Sequence, residues 1–208
     1  FVPAVQQETR DFWNGIPWLE LLWLGGASLF LLLLVRAHFK LARQVKSLSQ
    51  ADEAARELLT QVAQGVGYSG PQPDLRFSQS VEVPFACGML KPVVVLPESM
   101  LAPGFKSELP AVLAHEVSHM RMADLAWSFI AQVVRCLLWF HPFARPVPDA
   151  HRAACEDVCN TAAAGYVGDV ELYSKTLARV ALATIHSPMM HGGIPMANRA
   201  TVLQRLDF

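Results

Sequence analysis

The sequence predicts an α+β chain, mainly helical with a small β-hairpin or sheet, attached to a transmembrane helix. Three observations predict it. An uncharged apolar run extends from Leu21 to Val35. A His-Glu-Val-Ser-His pattern at 115–119 lies inside an apolar helical segment. Two short strand-like stretches, Leu75–Val83 and Pro92–Leu96, precede that pattern, and the chain after it reads as helix. Hydrophobic types make up 52% of the 208 residues and charged types 17%, which is apolar-heavy for a soluble domain. A net charge of −1 gives no electrostatic case for direct nucleic-acid binding.

Residues 1–17 are polar, interrupted by Pro3 and Pro17, and read as a short non-cytoplasmic segment. The chain begins at Phe1 rather than Met and reads as a piece of a longer protein. Residues 18–36 form the transmembrane helix. Counted from Ile16 to Val35 it has about 20 residues, enough to cross about 30 Å as a helix, with Trp13, Trp18 and Trp23 as an aromatic belt. A signal peptide has positive charge before its apolar region, and here the charge follows. Arg36, Lys40, Arg43 and Lys46 form one basic stripe of a helix leaving the bilayer, which places residues 37–208 in the cytoplasm by the positive-inside rule.

Asp52–Gln64 reads as an amphipathic helix stopped by Gly65 and Gly67, and Gly70–Pro73 as a loop. The two strands then pair as a hairpin or small sheet around Cys87-Gly88, with Pro84 and Pro92 suited to edges. Phe85, Ala86, Cys87 and Gly88 are the candidate edge strand for a substrate, because an extended peptide adds to an exposed edge through main-chain hydrogen bonds. Ser107 is the expected N-cap of the next helix, and Asp124 that of a further one, Leu125–Phe140. The latter helix carries Arg135 near its middle and reads as buried against the preceding helix or lying shallowly in the membrane surface, rather than spanning it. Cys87, Cys136, Cys155 and Cys159 lack C-x-x-C spacing; Cys155 and Cys159 read as small packing residues in a reducing compartment.

The pattern at 115–119 carries chemistry. At 3.6 residues per turn His115 and His119 stack on one helix face, where both imidazoles can reach one metal ion. Glu116 lies about 100° round the helix, close enough to hold a water there without being a ligand. The flanking Ala111, Val112, Leu113, Ala114, Val117 and Met120 argue against a merely solvated His/Glu face. Zinc is the metal this donor set fits, and a catalytic zinc needs a third protein ligand. Downstream stand Asp124, His141, Asp149, His151, Glu156 and Asp157. Asp124 follows His119 by five residues on a different face and suits the orientation of an imidazole. Glu156 lies on a helix started by Pro148 and ended by Gly165, with Arg152 and Asn160 four residues to either side. That helix, laid against the first, can bring Glu156 to the metal.

Val83-Pro-Phe-Ala-Cys-Gly-Met-Leu-Lys-Pro-Val-Val-Val-Leu-Pro97, then the His-Glu-x-x-His helix with Asp124, then Phe140-His-Pro142, then Arg152-x-x-x-Glu156-x-x-Cys159, resemble the BlaR/MecR family of membrane metallopeptidases. The resemblance covers most of residues 30–165 in order. It implies a gluzincin-like zinc protease domain in a cytoplasmic loop at the bacterial inner membrane, with zinc on His115, His119 and Glu156 and Glu116 as general base. Members of that family transduce signals, often β-lactam sensing, by cleaving a cytoplasmic repressor. Arg199–Leu206 looks like the stretch before the family's last membrane helix. Two departures stand out. Asn160 occupies a position where the family usually has Asp, and Ala144–Pro148 replaces an aromatic, helix-continuing stretch.

The expected chemistry is metal-assisted peptide hydrolysis, with Glu116 taking a proton from water and handing it to the leaving amine. Arg152, His141, Tyr166, His186 and His191 are the candidates for stabilising the developing oxyanion. The partners this reading implies are a protein substrate and the lipid bilayer, and nothing in the residues excludes a homo-oligomer. Two rivals share the motif: a housekeeping membrane protease of the HtpX or CAAX-processing type, and a non-catalytic, zinc-stabilised receptor.

Overall fold

The computed structural model describes residues 17–185. Its first element, α1 (Trp18–Lys46), is one continuous helix that includes the basic stripe. Leu19, Leu22, Leu29, Leu32 and Leu33 are all exposed on it. Among the described residues it is the one helix long and apolar enough to cross a membrane by length and composition, and almost none of its apolar stretch is buried. A core helix of a soluble domain would have hidden those leucines. The segment expected ahead of the span lies outside the described residues.

After α1 come β1 (Ser49–Gln50) and α2 (Glu53–Gly65), the latter capped by the Asp52 carboxylate accepting from the Ala55 amide at 3.0 Å. Three further strands follow: β2 (Asp74–Ser78), β3 (Phe85–Cys87) and β4 (Val93–Pro97). The sheet order is β1-β2-β4-β3, with β2 and β4 parallel and the other two pairs antiparallel. Of the expected hairpin or small sheet of 75–83 and 92–96, the structure has the sheet: β2 and β4 pair in parallel, which a hairpin does not allow. Val94, Val95 and Leu96 are completely buried, so β4 is apolar on both faces and takes the interior place between β2 and β3. Residues 79–84 link strands instead of extending one. Gly88 is not part of the edge strand either: at φ +84 it turns the chain from β3 towards β4, and a Cβ there would meet the Lys91 carbonyl at 2.2 Å.

The sheet packs on α2 and on α3 (Leu109–Arg121), the helix bearing the His-Glu-x-x-His pattern. Leu59 and Val62 of α2, Leu75 and Phe77 of β2, Leu96 of β4, and Leu113 and Val117 of α3 form one core. Each such buried side chain contributes roughly 1.5–3 kcal/mol by leaving water. α3 starts one residue later than a Ser107 cap would allow. Glu108 stands at its N-cap position with its carbonyl accepting from Ala111 and Val112, while its carboxylate pairs with Arg179.

Helix α4 (Asp124–Leu137) begins with Asp124 already helical, and Ala123 takes the cap position at φ 56. The expected capping role of Asp124 is corrected: its carboxylate is engaged elsewhere. α4 packs along α1 and against α5 (Val147–Val167) more extensively than on α3. It runs antiparallel to α1. Phe129 meets His38 with ring centroids 5.0 Å apart, and Trp139, just past its end, meets Phe30 at 6.0 Å. The Trp23 indole donates to the Leu137 carbonyl at 2.8 Å, and a Cβ on Gly26 would lie 2.5 Å from the Trp139 ring. Close approach through a small residue is how helices pack within membranes. α5 runs through Gly165 and stops at Gly168, whose φ of 73 is the left-handed turn a helix C-terminus favours. α6 (Val170–Ile185) then folds back on α5 and α3.

Candidate metal centre

Among the described residues, helices α3 and α5 make the most extensive helix contact, and the donor atoms meet at their crossing. His115 is buried and His119 partly so, one turn apart on α3. Their Nε2 atoms stand 3.2 Å apart. Glu156 of α5 places one carboxylate oxygen 3.3 Å from His115 Nε2 and the other 3.9 Å from His119 Nε2. Ligands on a tetrahedral zinc at about 2.0–2.1 Å stand about 3.3–3.4 Å from one another, so this spacing fits one ion among the three. Two imidazole lone pairs directed at each other also repel unless a proton or a cation lies between them. The donor set of two nitrogens and a carboxylate, with Glu116 buried on the next position of the same helix, fits a catalytic zinc.

The remaining nitrogens of the two histidines have different partners. His119 Nδ1 lies 2.9 Å from Asp124 Oδ2. The positive φ at Ala123 breaks the helix axis between α3 and α4, which lets a carboxylate five residues on turn back to this ring. Burial pushes His119 towards its neutral form, but the Asp124 hydrogen bond and the charges of Glu116, Glu156 and Asp124 outweigh it and raise its pKa. Burial likewise pushes the Asp124 carboxyl up, and hydrogen bonds from His119, Cys155 and Cys159 hold it below the ordinary value. Cys159 is more than packing: its completely buried thiol donates to Asp124 at 3.4 Å and lies 3.3 Å from His119 Nδ1. Burial and the Asp124 charge push that thiol's pKa up. His119, Asp124 and Cys159 could themselves hold an ion, yet such an ion would require a thiolate and would displace the His119–Asp124 hydrogen bond.

His115 Nδ1 has a partner the sequence did not single out. The hydroxyl of buried Tyr173, on α6, lies 3.0 Å away and donates to Asn160 Oδ1 at 2.9 Å. These hydrogen bonds connect Asn160 to His115 by way of a tyrosine. The other expected residues are placed differently. Arg152 lies 3.8 Å from Asp149, half-exposed. Tyr166 packs over Gly65 of α2, and His141 is exposed between Phe140 and Phe143 in the turn before α5. His186 and His191 lie outside the described residues. Of the edge residues, Phe85, Ala86 and Cys87 form β3, which pairs on one side only among the described strands and lies against α3. Burial pushes the Cys87 thiol up to about 11.

Comparison with known proteins supports the same reading of the chain. The sequence pattern of the BlaR1 peptidase M56 family matches residues 3–208. The methicillin resistance mecR1 proteins of Staphylococcus aureus and Staphylococcus epidermidis are 24% identical over 140 residues, or 67% of this chain and 24% of theirs. The match thus spans about a quarter of those relatives' length. With the family pattern covering nearly its whole length, the chain belongs to the BlaR1 peptidase M56 family.

Proposed function

We propose that the chain is a membrane-tethered zinc endopeptidase that hydrolyses a peptide bond of a cytoplasmic protein during transmembrane signalling. The observation that carries this reading is the convergence of His115, His119 and Glu156 on one point, with Glu116 buried beside them. His115, His119 and Glu156 would hold the zinc, which would supply Lewis acidity to a carbonyl and to a water molecule. Glu116 takes the proton of the attacking water and returns it to the leaving amine. Asp124 holds His119, and the sheet edge at Phe85–Cys87 aligns an extended substrate alongside α3.

The basic residues after the apolar run favour a cytoplasmic peptidase, with residues 37–208 as its domain, on a bacterial inner-membrane protein. The relatives are named for methicillin resistance, which favours an antibiotic-responsive pathway; the substrate assigned in this reading is a transcriptional repressor or the protein itself. An amide in place of the usual carboxylate at Asn160 is what a non-catalytic, zinc-stabilised receptor would draw on, and that amide keeps a hydrogen bond beside the site.

The test is cleavage of a candidate repressor by the purified chain in detergent, with zinc, with chelator, and with Glu116→Gln. Zinc-dependent cleavage that Glu116→Gln abolishes while zinc stays bound is the expected result. Substantial cleavage by the zinc-loaded variant would remove Glu116 from its role.

A further inference from the structure

We propose that Tyr173 is the positioning residue of His115, and that the Asn160–Tyr173 pair selects the ring tautomer able to bind the metal. The proposal rests on the zinc reading above and adds a residue and a mechanism to it. Each histidine of the pair offers Nε2 to the shared point, so each needs Nε2 bare and its proton on Nδ1. For His119 the Asp124 carboxylate enforces this, since an ionised carboxylate only accepts.

Among the described residues, His115 has no carboxylate on its Nδ1. It has a phenol, which can donate or accept, so the phenol alone would leave the tautomer undecided. Asn160 decides it. The Tyr173 hydroxyl has one proton, and at 2.9 Å that proton goes to the carbonyl oxygen of Asn160. The phenol oxygen is then left as an acceptor facing His115 Nδ1 at 3.0 Å, and Nδ1 must carry the hydrogen. The reverse amide orientation would reverse every bond. The amide nitrogen would donate to the phenol, the phenol would donate to Nδ1, and the proton would sit on Nε2, where it blocks the metal. The relay thus links three helices: α3 supplies the ligand, α5 the amide and α6 the phenol. Tyr173 is buried, so solvent does not compete for the hydroxyl.

The experiment measures zinc affinity of the full chain by chelator competition, together with the tautomer of His115 by nitrogen-15 NMR of the imidazole. Tyr173→Phe keeps the ring and its packing, Asn160→Leu removes the acceptor, and Asn160→Asp supplies a carboxylate that can only accept. Tyr173→Phe and Asn160→Leu should each weaken zinc binding by about 10- to 100-fold, and the double variant by no more than either alone. Asn160→Asp should bind zinc at least as tightly as the native chain and keep the His115 proton on Nδ1. Thermal unfolding of the metal-free forms reports whether a variant has lost its fold instead. Unchanged affinity in a folded Tyr173→Phe, or additive losses in the double variant, would overturn the relay. A native chain that binds no zinc would instead refute the metal reading on which it rests.

Discussion

His119 Nδ1 and Asp124 Oδ2 stand 2.9 Å apart across the break between α3 and α4. This contact joins the helix of His115 and His119 to the helix that lies along the apolar α1, so the candidate site and the candidate membrane span share a structural element.

Asp124→Ala removes the acceptor that fixes the His119 ring and leaves Cys159 facing it. Zinc affinity should fall by about 10- to 100-fold while the metal-free chain stays folded. Competition with a chelator measures it, and unchanged affinity would show that the carboxylate does not orient the ring.

Gly26→Val puts a branched side chain where even a Cβ would lie 2.5 Å from the Trp139 ring. That ring is also held by Phe30 and by its own indole donating to the Trp23 carbonyl at 3.4 Å. Separating α1 from α4 should cost about 1–3 kcal/mol, read as a lower unfolding temperature in detergent. An unchanged transition would mean that the α1–α4 contact does not contribute to stability.

A peptide added to the β3 edge is held by its own alternate backbone amides. N-methylation of a cleaved peptide at every second amide should raise KM by at least about tenfold, and methylation at the intervening ones should leave it nearly unchanged. Equal tolerance at all positions would place the substrate elsewhere.

The parts of this account that were legible in the sequence are those set by local periodicity. The i, i+4 histidines and the basic stripe after Val35 follow from helix geometry, whereas Asp124 reaches the His119 ring only because Ala123 breaks the helix between them. Topology was not legible in this way. The run Val93–Leu96 reads as one strand of a hairpin or small sheet, and only its burial on both faces shows that it needs a neighbour on each side. The sequence places Glu156 on a helix, but only the α3–α5 crossing sets it beside His115 and His119. Tyr173 had no sequence signal: it is 58 positions from His115, and a lone aromatic on an amphipathic helix reads as core. Cys159 looked like packing because a small buried thiol is usually that, and its hydrogen bond to Asp124 exists only in the folded crossing.

The most direct test of the central claim is zinc-edge X-ray absorption of the purified chain, because it distinguishes the two clusters of donors around His119. His115, His119 and Glu156 predict one zinc per chain with only nitrogen and oxygen neighbours at about 2.0–2.2 Å, and loss of the metal in Glu156→Ala. A sulfur neighbour at about 2.3 Å would contradict it, moving the ion to Cys159 and away from Glu116.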